Sequence, residues 1–554
     1  MGGAAVSAVA PQAGIDRLAT IEDIVACSVR LGATQIGGPL SVSEQQQVAW
    51  STGISLNRTL IEDVRLQILA GNDPLGDALT NLRTPAARRL QGAIYTPNPI
   101  TRSMVGWALD KEISCLVDPG CGSGRFAAEA ARRRPMLRII GVDIDPVATL
   151  VCRAVLACIE HQNCLVVQTD YLTWAMPETD GRAGFVGNPP YVRHHDIAPA
   201  TKEWGRAAAS RLGVPWSGLA GLHVLFAVAS ALRMRHRDIM CLITSAEWLD
   251  VRYGAALRHM LATQPRLQAI HMLDPRASAF ADTMTTATIF CAEQGAENPI
   301  AVARVLDEAA DFGDLRGQDR SVLIRDMLSA GRWTALVRGT ETQPDGIETV
   351  PLGSIARVSR GIATGANGYF VLPLEQAEAL GLRDFVRPAL TSAHEVFRAD
   401  GVVRVTAKTK CVLDVPAALG EEARTHPALG RYLDEGEHRG VAARYLSKQR
   451  KYWWVLSPDV PPIVATYMAR RPPAFALNPD GAAILNVVHG LYPRVSLTDT
   501  QLRGLVAYLN GLGTRLAGAG RTYHGGLQKF EPREMESIPV PSAERLADYG
   551  TETA

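Results

Sequence analysis

Asp118-Pro119-Gly120-Cys121-Gly122-Ser123-Gly124-Arg125-Phe126 is the stretch on which the fold turns. Before it, Ser114-Cys115-Leu116-Val117 reads as a short buried strand; after it, Phe126 to Arg134 reads as a helix. Glycines between a strand and a helix let the backbone turn sharply and approach a ligand closely. Such a turn alone also fits a structural corner, so its neighbours must decide. Leu137 to Val142 reads as a second strand and Pro146 to Glu160 as a helix. Cys164 to Val167 and Gly184 to Gly187 read as further strands, Leu222 to Met234 as a helix, and Ile239 to Ile243 as another strand. This alternation predicts a parallel sheet with helices on both faces, and ligands at the carboxyl ends of its strands.

Those strand ends are acidic. The first ends at Asp118, the second at Gly141-Val142-Asp143-Ile144-Asp145, and the third at Thr169-Asp170-Tyr171-Leu172. Asp143 is placed to accept the hydroxyls of a ribose. Asp170 is placed to accept from an adenine amine, with Tyr171 packed on the adenine ring. Asp118, Gly120, Gly122 and Gly124 form the turn beneath. The turn lacks the lysine of a phosphate-binding P-loop, and no arginine-rich clamp accompanies Arg125. A cofactor without phosphates fits, and S-adenosyl-L-methionine is such a cofactor.

The fourth strand runs into Gly187-Asn188-Pro189-Pro190-Tyr191. Here the sequence resembles the N6-adenine and N4-cytosine DNA methyltransferases, whose signature is [DNS]-P-P-[YFW]. An exocyclic amine on an aromatic ring is a poor nucleophile, because its lone pair is delocalised. Two acceptors aimed at its hydrogens can draw it toward tetrahedral geometry. The Asn188 side-chain oxygen and the Pro189 carbonyl are the expected acceptors, held by the fixed φ angles of Pro189 and Pro190. Tyr191 offers a ring on which an extruded base can stack. A reactive methyl donor leaves positioning as the main task of the protein.

The resemblance extends further. Gly92-Ala93-Ile94-Tyr95-Thr96-Pro97, followed by helix-like Ile100 to Leu109, resembles the motif that precedes the Gly loop in gamma-class enzymes. It implies that Tyr95, Thr96 and Pro97 cover the methionine end of the cofactor. This motif order favours adenine over cytosine. Ile243 to Leu249 resembles a later strand-end motif. Ala279-Phe280-Ala281-Asp282 resembles the segment whose aromatic faces the flipped base, which would set Phe280 opposite Tyr191. In the C-terminal part, Arg360 to Phe370, Lys451-Tyr452-Trp453-Trp454 and Gly525 to Phe530 leading to Pro541 resemble the target-recognition region. The chain is thus similar to gamma-class N6-adenine DNA methyltransferases, the type II restriction-modification methylases with an NPPY motif. The implied fold is α/β: a Rossmann-like S-adenosylmethionine-dependent methyltransferase domain, an N-terminal helical segment and a C-terminal mixed α/β target-recognition domain. The expected boundaries are 1–88 for the helical region, 89–300 for the catalytic domain, 301–345 for a connection and 346–554 for recognition.

Composition is consistent with several domains: 554 residues exceed one compact core. The net charge of +1 excludes a wholly basic, histone-like binder but not a basic face. The stretch Arg439, Arg444, Lys448, Arg450 and Lys451 could contact phosphates or form a solvated helix face. The nine cysteines include no C-x-x-C pair, so neither a disulfide framework nor a metal site is expected. No apolar run reaches the ~20 residues of a membrane span, and the start lacks a signal peptide's basic and apolar segments. A cytoplasmic monomer is expected, acting on double-stranded DNA, with a cognate restriction endonuclease acting separately and no membrane partner. No P-D…(D/E)-x-K carboxylate set precedes Gly92, so cleavage is not expected. Protein-glutamine methyltransferases share N-P-P-Y but lack a large domain after it. N4-cytosine methylation, RNA adenine methylation and the role of a non-catalytic DNA-binding subunit compete with the adenine reading.

Overall fold

The computed structural model describes residues 18–84, 96–273, 287–306, 315, 320–339, 348–518, 520–523 and 527–550. Two compact units divide the chain, Met1–Gly339 and Thr340–Ala554.

The first unit is built on a sheet of nine strands among the described residues. They are β1 (Cys115–Pro119), β2 (Arg138–Asp143), β3 (Cys164–Gln168), β4 (Ala183–Gly187), β5 (Ile239–Ser245), β6 (Arg266–Leu273), β7 (Ala287–Glu293), β8 (Ile300–Leu306) and β9 (Arg320–Leu323). Their order is β3-β2-β1-β4-β5-β7-β6-β8-β9. The strands from β3 to β5 are parallel, as the βα rhythm predicts. β7 runs antiparallel to both β5 and β6, so the sheet is mixed. A fully buried apolar run such as Thr288 to Ala292 looks the same in either direction, which is why sequence alone did not reveal the reversal. Strand order reverses between β1 and β4, where a crevice opens at the carboxyl ends. The Gly turn and the Asn188 tetrad follow those two strands.

Residues 301–345, expected as a connection, contribute most of β8, all of β9 and two short helices, Ile324–Ser329 and Thr334–Arg338. These strands sit toward one edge of the sheet, where charges such as Arg304 and Arg320 are tolerated and make a strand read as linker.

Helices α1 (Ile21–Arg30), α2 (Val42–Ser51), α3 (Arg58–Leu69) and α4 (Pro74–Leu82) make an N-terminal layer, as the helical reading expected. Ser41 caps α2 in a capping box with Glu44. Next come α5 (Asn98–Asp110), α6 (Arg125–Arg133) and α7 (Pro146–Cys158), then α8 (Pro199–Leu212) and α9 (Leu222–Arg233). The N-terminal layer shares an apolar core with α7, including Ile24, Val64, Leu75 and Val151. Within it Arg153 and Glu44, both fully buried, pair at 3.0 Å. The same guanidinium donates to the carbonyls of Ile36, Gly38, Pro39 and Val166, so none of its donors is stranded.

The second unit carries two four-stranded sheets. One joins Ala356–Arg360, Val488–Pro493, Ile463–Thr466 and Phe475–Leu477. The other joins Val371–Pro373, Lys410–Leu413, Val386–Leu390 and Ala483–Ile484. Trp453 and Trp454 are buried in a core with Tyr369, Phe370 and Tyr432. No helix among the described residues is long and apolar enough to cross a membrane.

Candidate active site

The Gly turn leaves β1 and enters α6. Gly124 is the left-handed N-cap of α6, with φ +85°, and a Cβ there would lie 2.7 Å from the Cys152 sulfur. Only glycine fits both the conformation and the close approach of α7. Gly120, at φ +78°, faces the tetrad: a Cβ there would meet Pro190 at 3.5 Å and Phe226 at 3.6 Å. A Cβ on Gly187 would lie 2.7 Å from the Asp118 carboxylate. The turn, Asp118 and the Asn188 tetrad therefore converge at the point where strand order reverses.

Asp118 is fully buried, and neither carboxylate oxygen has a hydrogen-bond partner among the described residues. Burial, with the nearby Asp143 charge adding to it, pushes its pKa well above the carboxylate range. A lone buried carboxylate is costly unless a cationic or hydrogen-bond-donating ligand compensates it. Asp143 accepts from the Gly122 N–H at 2.8 Å and the Asp145 N–H at 3.0 Å, which ties β2 to the turn. Burial raises its pKa to about 6 against the lowering effect of those two bonds. Asp170 accepts from the Leu172 N–H at 2.9 Å and shapes the turn after β3.

Asn188 is half-buried at the end of β4, and its Nδ2 donates to Thr96 Oγ1 at 2.9 Å. Thr96 is only 3% exposed, and Pro97 caps α5 directly after it. The amide is thereby held by its nitrogen, and its oxygen is the acceptor that can serve a substrate amine. The Tyr191 hydroxyl is buried without a partner among the described residues, and burial raises its pKa. Tyr95 and Phe280 lie outside the described residues.

Tyr171, expected beside the adenine ring, is packed among core side chains. It is 2% exposed, its hydroxyl pairs with Ser230 Oγ at 2.8 Å, and the Arg233 guanidinium lies 4.8 Å over its ring. Asp170 and Tyr171 lie beyond the end of β3, in the turn, where strand alternation no longer sets the side-chain direction. The aromatic at the turn is Phe226, which stacks on Tyr171 at 5.1 Å and stands between it and Gly120.

Sequence reading also missed His223. It is 5% exposed, its ring meets Tyr191 edge-on at 5.9 Å, and neither nitrogen has a partner among the described residues. Burial lowers its pKa to about 4, so it is neutral at physiological pH. His223, Phe226 and Ser230 recur at helical spacing on one face of α9. A polar or aromatic stripe in an otherwise aliphatic helix was the available signal.

In the second unit the basic stretch is partly structural. Arg444 donates to the Gly365 carbonyl, and Arg450 to those of Ala363 and Thr364. Lys448 and Lys451 stay exposed. The Trp453-Trp454 pair of the segment that resembles a recognition region lies in the core of this unit.

Comparisons with known proteins identify the family. The family described as Eco57I restriction-modification methylase matches residues 138–280. The family described as type II methyltransferase M.Eco57I, C-terminal domain, matches residues 341–552. The chain is 37% identical to type II methyltransferase M.XamI of Xanthomonas campestris pv. amaranthicola, over 95% of this chain and 99% of that protein. It is 24% identical to type II methyltransferase M.AccI of Acinetobacter calcoaceticus, over 81% of this chain and 85% of that one. The fold is similar to that of MmeI, a type IIL restriction-modification enzyme solved in complex with DNA, with a TM-score of 0.56 at 11% identity, covering 92% of this chain and 78% of that one.

Proposed function

The chain belongs to the Eco57I family of type II restriction-modification DNA methyltransferases, and from that premise we propose that it methylates the exocyclic N6 amine of a flipped adenine in double-stranded DNA. The observation that carries this reading is the Asn188 amide, anchored through its nitrogen to Thr96 at the end of β4, beside Asp118 and Gly120.

Family membership implies S-adenosyl-L-methionine, and the residues present fit it. The compound carries positive charge on its sulfonium and its amino group, and Asp118 is a buried carboxylate with both oxygens uncompensated. Asp118 and the turn at Gly120, Gly122 and Gly124 would hold the methionine part, together with Thr96 and Pro97. Asp143 and Asp170 would accept from the ribose and the adenine, with Phe226 as the aromatic wall that Tyr171 supports from behind. The cofactor supplies a methyl group already activated by its sulfonium.

The chain's own residues then position the nucleophile. Asn188 Oδ1 and the Pro189 carbonyl accept the two amine hydrogens, which localises the lone pair on nitrogen. Tyr191 stacks on the extruded base and keeps its amine in the plane of those acceptors. No group need act as a strong base before the N–C bond forms. Adenine is favoured over cytosine by the order of motifs, with Tyr95-Thr96-Pro97 before the turn and the recognition part after it. The second unit supplies the contact with DNA, and the biological role is modification of sites that a separate endonuclease would cut.

Replacing Asn188 by Ala tests the reading. Tritium transfer from labelled S-adenosylmethionine to DNA is expected to fall by at least about a hundredfold, the scale of losing oriented polar contacts at the reacting centre. Cofactor binding should persist. Unchanged transfer would sink the assignment.

A further inference from the structure

The N-terminal layer reaches the site through charged side chains that the methyl-transfer reading does not use. Asp73 caps α4, with Oδ1 accepting from the Gly76 N–H at 3.0 Å. Its other oxygen accepts from the hydroxyl of Ser123, inside the Gly turn, and pairs with Arg125 Nε at 2.7 Å. Asp77, one turn on, takes another nitrogen of the same guanidinium at 2.8 Å. Arg125 also approaches the Thr96 carbonyl at 3.5 Å, and Thr96 Oγ1 receives the Asn188 amide.

A second tie comes from the end of α4. Arg83 pairs with Asp145. Asp145 caps α7 by accepting from the Val147 N–H at 2.9 Å, and its own N–H donates to Asp143, which holds Gly122. The layer thus grips the turn at Ser123 and Arg125 directly and at Gly122 through two carboxylates. Arg125 and Asp73 are largely buried, with side chains 12% and 9% exposed, so that pair is little weakened by solvent, whereas Asp77 is 45% exposed and contributes less.

We propose that Asp73 and Asp77, acting through Arg125, are positioning residues that hold the cofactor turn and the Thr96–Asn188 pair in register, which makes the N-terminal layer part of the methyl-transfer site. The inference rests on reading the Gly turn as the cofactor site. Misplacing reacting groups by about an ångström lowers rates by about a hundredfold, so such a support acts on catalysis without touching substrate.

The test uses the full chain with Asp73→Asn, Asp77→Asn and Arg125→Met. Asn is as good an N-cap as Asp, so Asp73→Asn keeps α4 while removing the charge that faces Arg125. Three quantities are measured: the dissociation constant of S-adenosylmethionine by calorimetry, the single-turnover methylation rate at saturating cofactor, and the melting temperature. Arg125→Met and Asp73→Asn are expected to weaken cofactor binding about tenfold and to slow the saturated rate at least about threefold, in protein that remains folded at assay temperature. Asp77→Asn should add little once Arg125 is Met, because it acts through that side chain. Arg125→Lys, which keeps the charge, should recover part of the loss. A lower melting temperature with unchanged affinity and rate would reduce the layer to a structural support and overturn the proposal. If the unaltered chain bound no S-adenosylmethionine, the cofactor reading itself would fall, and this inference with it.

Discussion

Replacing Thr96 by Val removes one oxygen and keeps the branched shape. Thr96 is 3% exposed, so water does not readily take the place of that oxygen. Its Oγ1 accepts from Asn188 Nδ2 at 2.9 Å. Val can neither accept nor donate, so the amide nitrogen loses its bond to Thr96. The net loss of such a bond is about 0.5–1.5 kcal/mol, rising toward ~3 kcal/mol when the abandoned donor stays buried. The preference for the orientation that presents Oδ1 falls by that amount, and the flipped amide presents its NH₂ to a substrate amine that needs an acceptor. At about 1.4 kcal/mol the productive orientation is depleted about tenfold. The expected result is a single-turnover rate about tenfold below that of the unaltered chain, read with a duplex carrying the target site at saturating S-adenosylmethionine. Thr96→Ser, which retains the acceptor, recovers most of the loss. A Val variant within twofold of the unaltered rate would refute the anchoring role, and so would a Ser variant as slow as Val.

Other consequences concern stability and DNA contact. Glu44→Gln leaves buried Arg153 without its counter-charge and should lower unfolding stability by about 3 kcal/mol, read from denaturant midpoints; a change under about 1 kcal/mol would contradict the buried pair. His223 has a folded pKa of about 4, below the ordinary ~6.5, so the unfolded chain binds its proton first as pH falls. Stability is therefore lost between about pH 6.5 and 4, by up to ~3 kcal/mol, and His223→Gln should be spared that part of the loss; parallel pH profiles for the two proteins would refute it. Replacing the exposed Lys448 and Lys451 together by Ala should weaken DNA binding alike on all sequences and reduce the slope of log K against log salt by about 2; an unchanged slope would remove these lysines from the phosphate contacts.

Much of the catalytic half was legible in the sequence because its signals are local. The strand before Asp118, the helix after Gly124 and the tetrad after Gly187 each follow from residues adjacent in the chain, and the sheet brings their ends together. What was not legible depends on direction and depth. Asp170-Tyr171 promised an aromatic beside an acidic residue, but the chain turns Tyr171 inward, and Phe226 from α9 supplies the ring at Gly120. The N-terminal layer showed no catalytic cluster, because Asp73 and Asp77 acquire their partner only when α4 meets Arg125. Trp453 and Trp454 carry a family resemblance in the sequence, but their depth is set by Tyr369 and Tyr432, distant residues that join them in one core. The reversal of β7 leaves no trace in a run that is buried throughout.

The central claim is methyl transfer to adenine N6 by the Asn188 tetrad, and the modified base itself tests it most directly. DNA from a methylation-free bacterial host expressing this chain, digested to nucleosides and resolved by mass spectrometry, should contain N6-methyladenine. DNA from a host expressing the Asn188→Ala chain should contain none. N4-methylcytosine in the first sample, or N6-methyladenine undiminished in the second, would contradict the account.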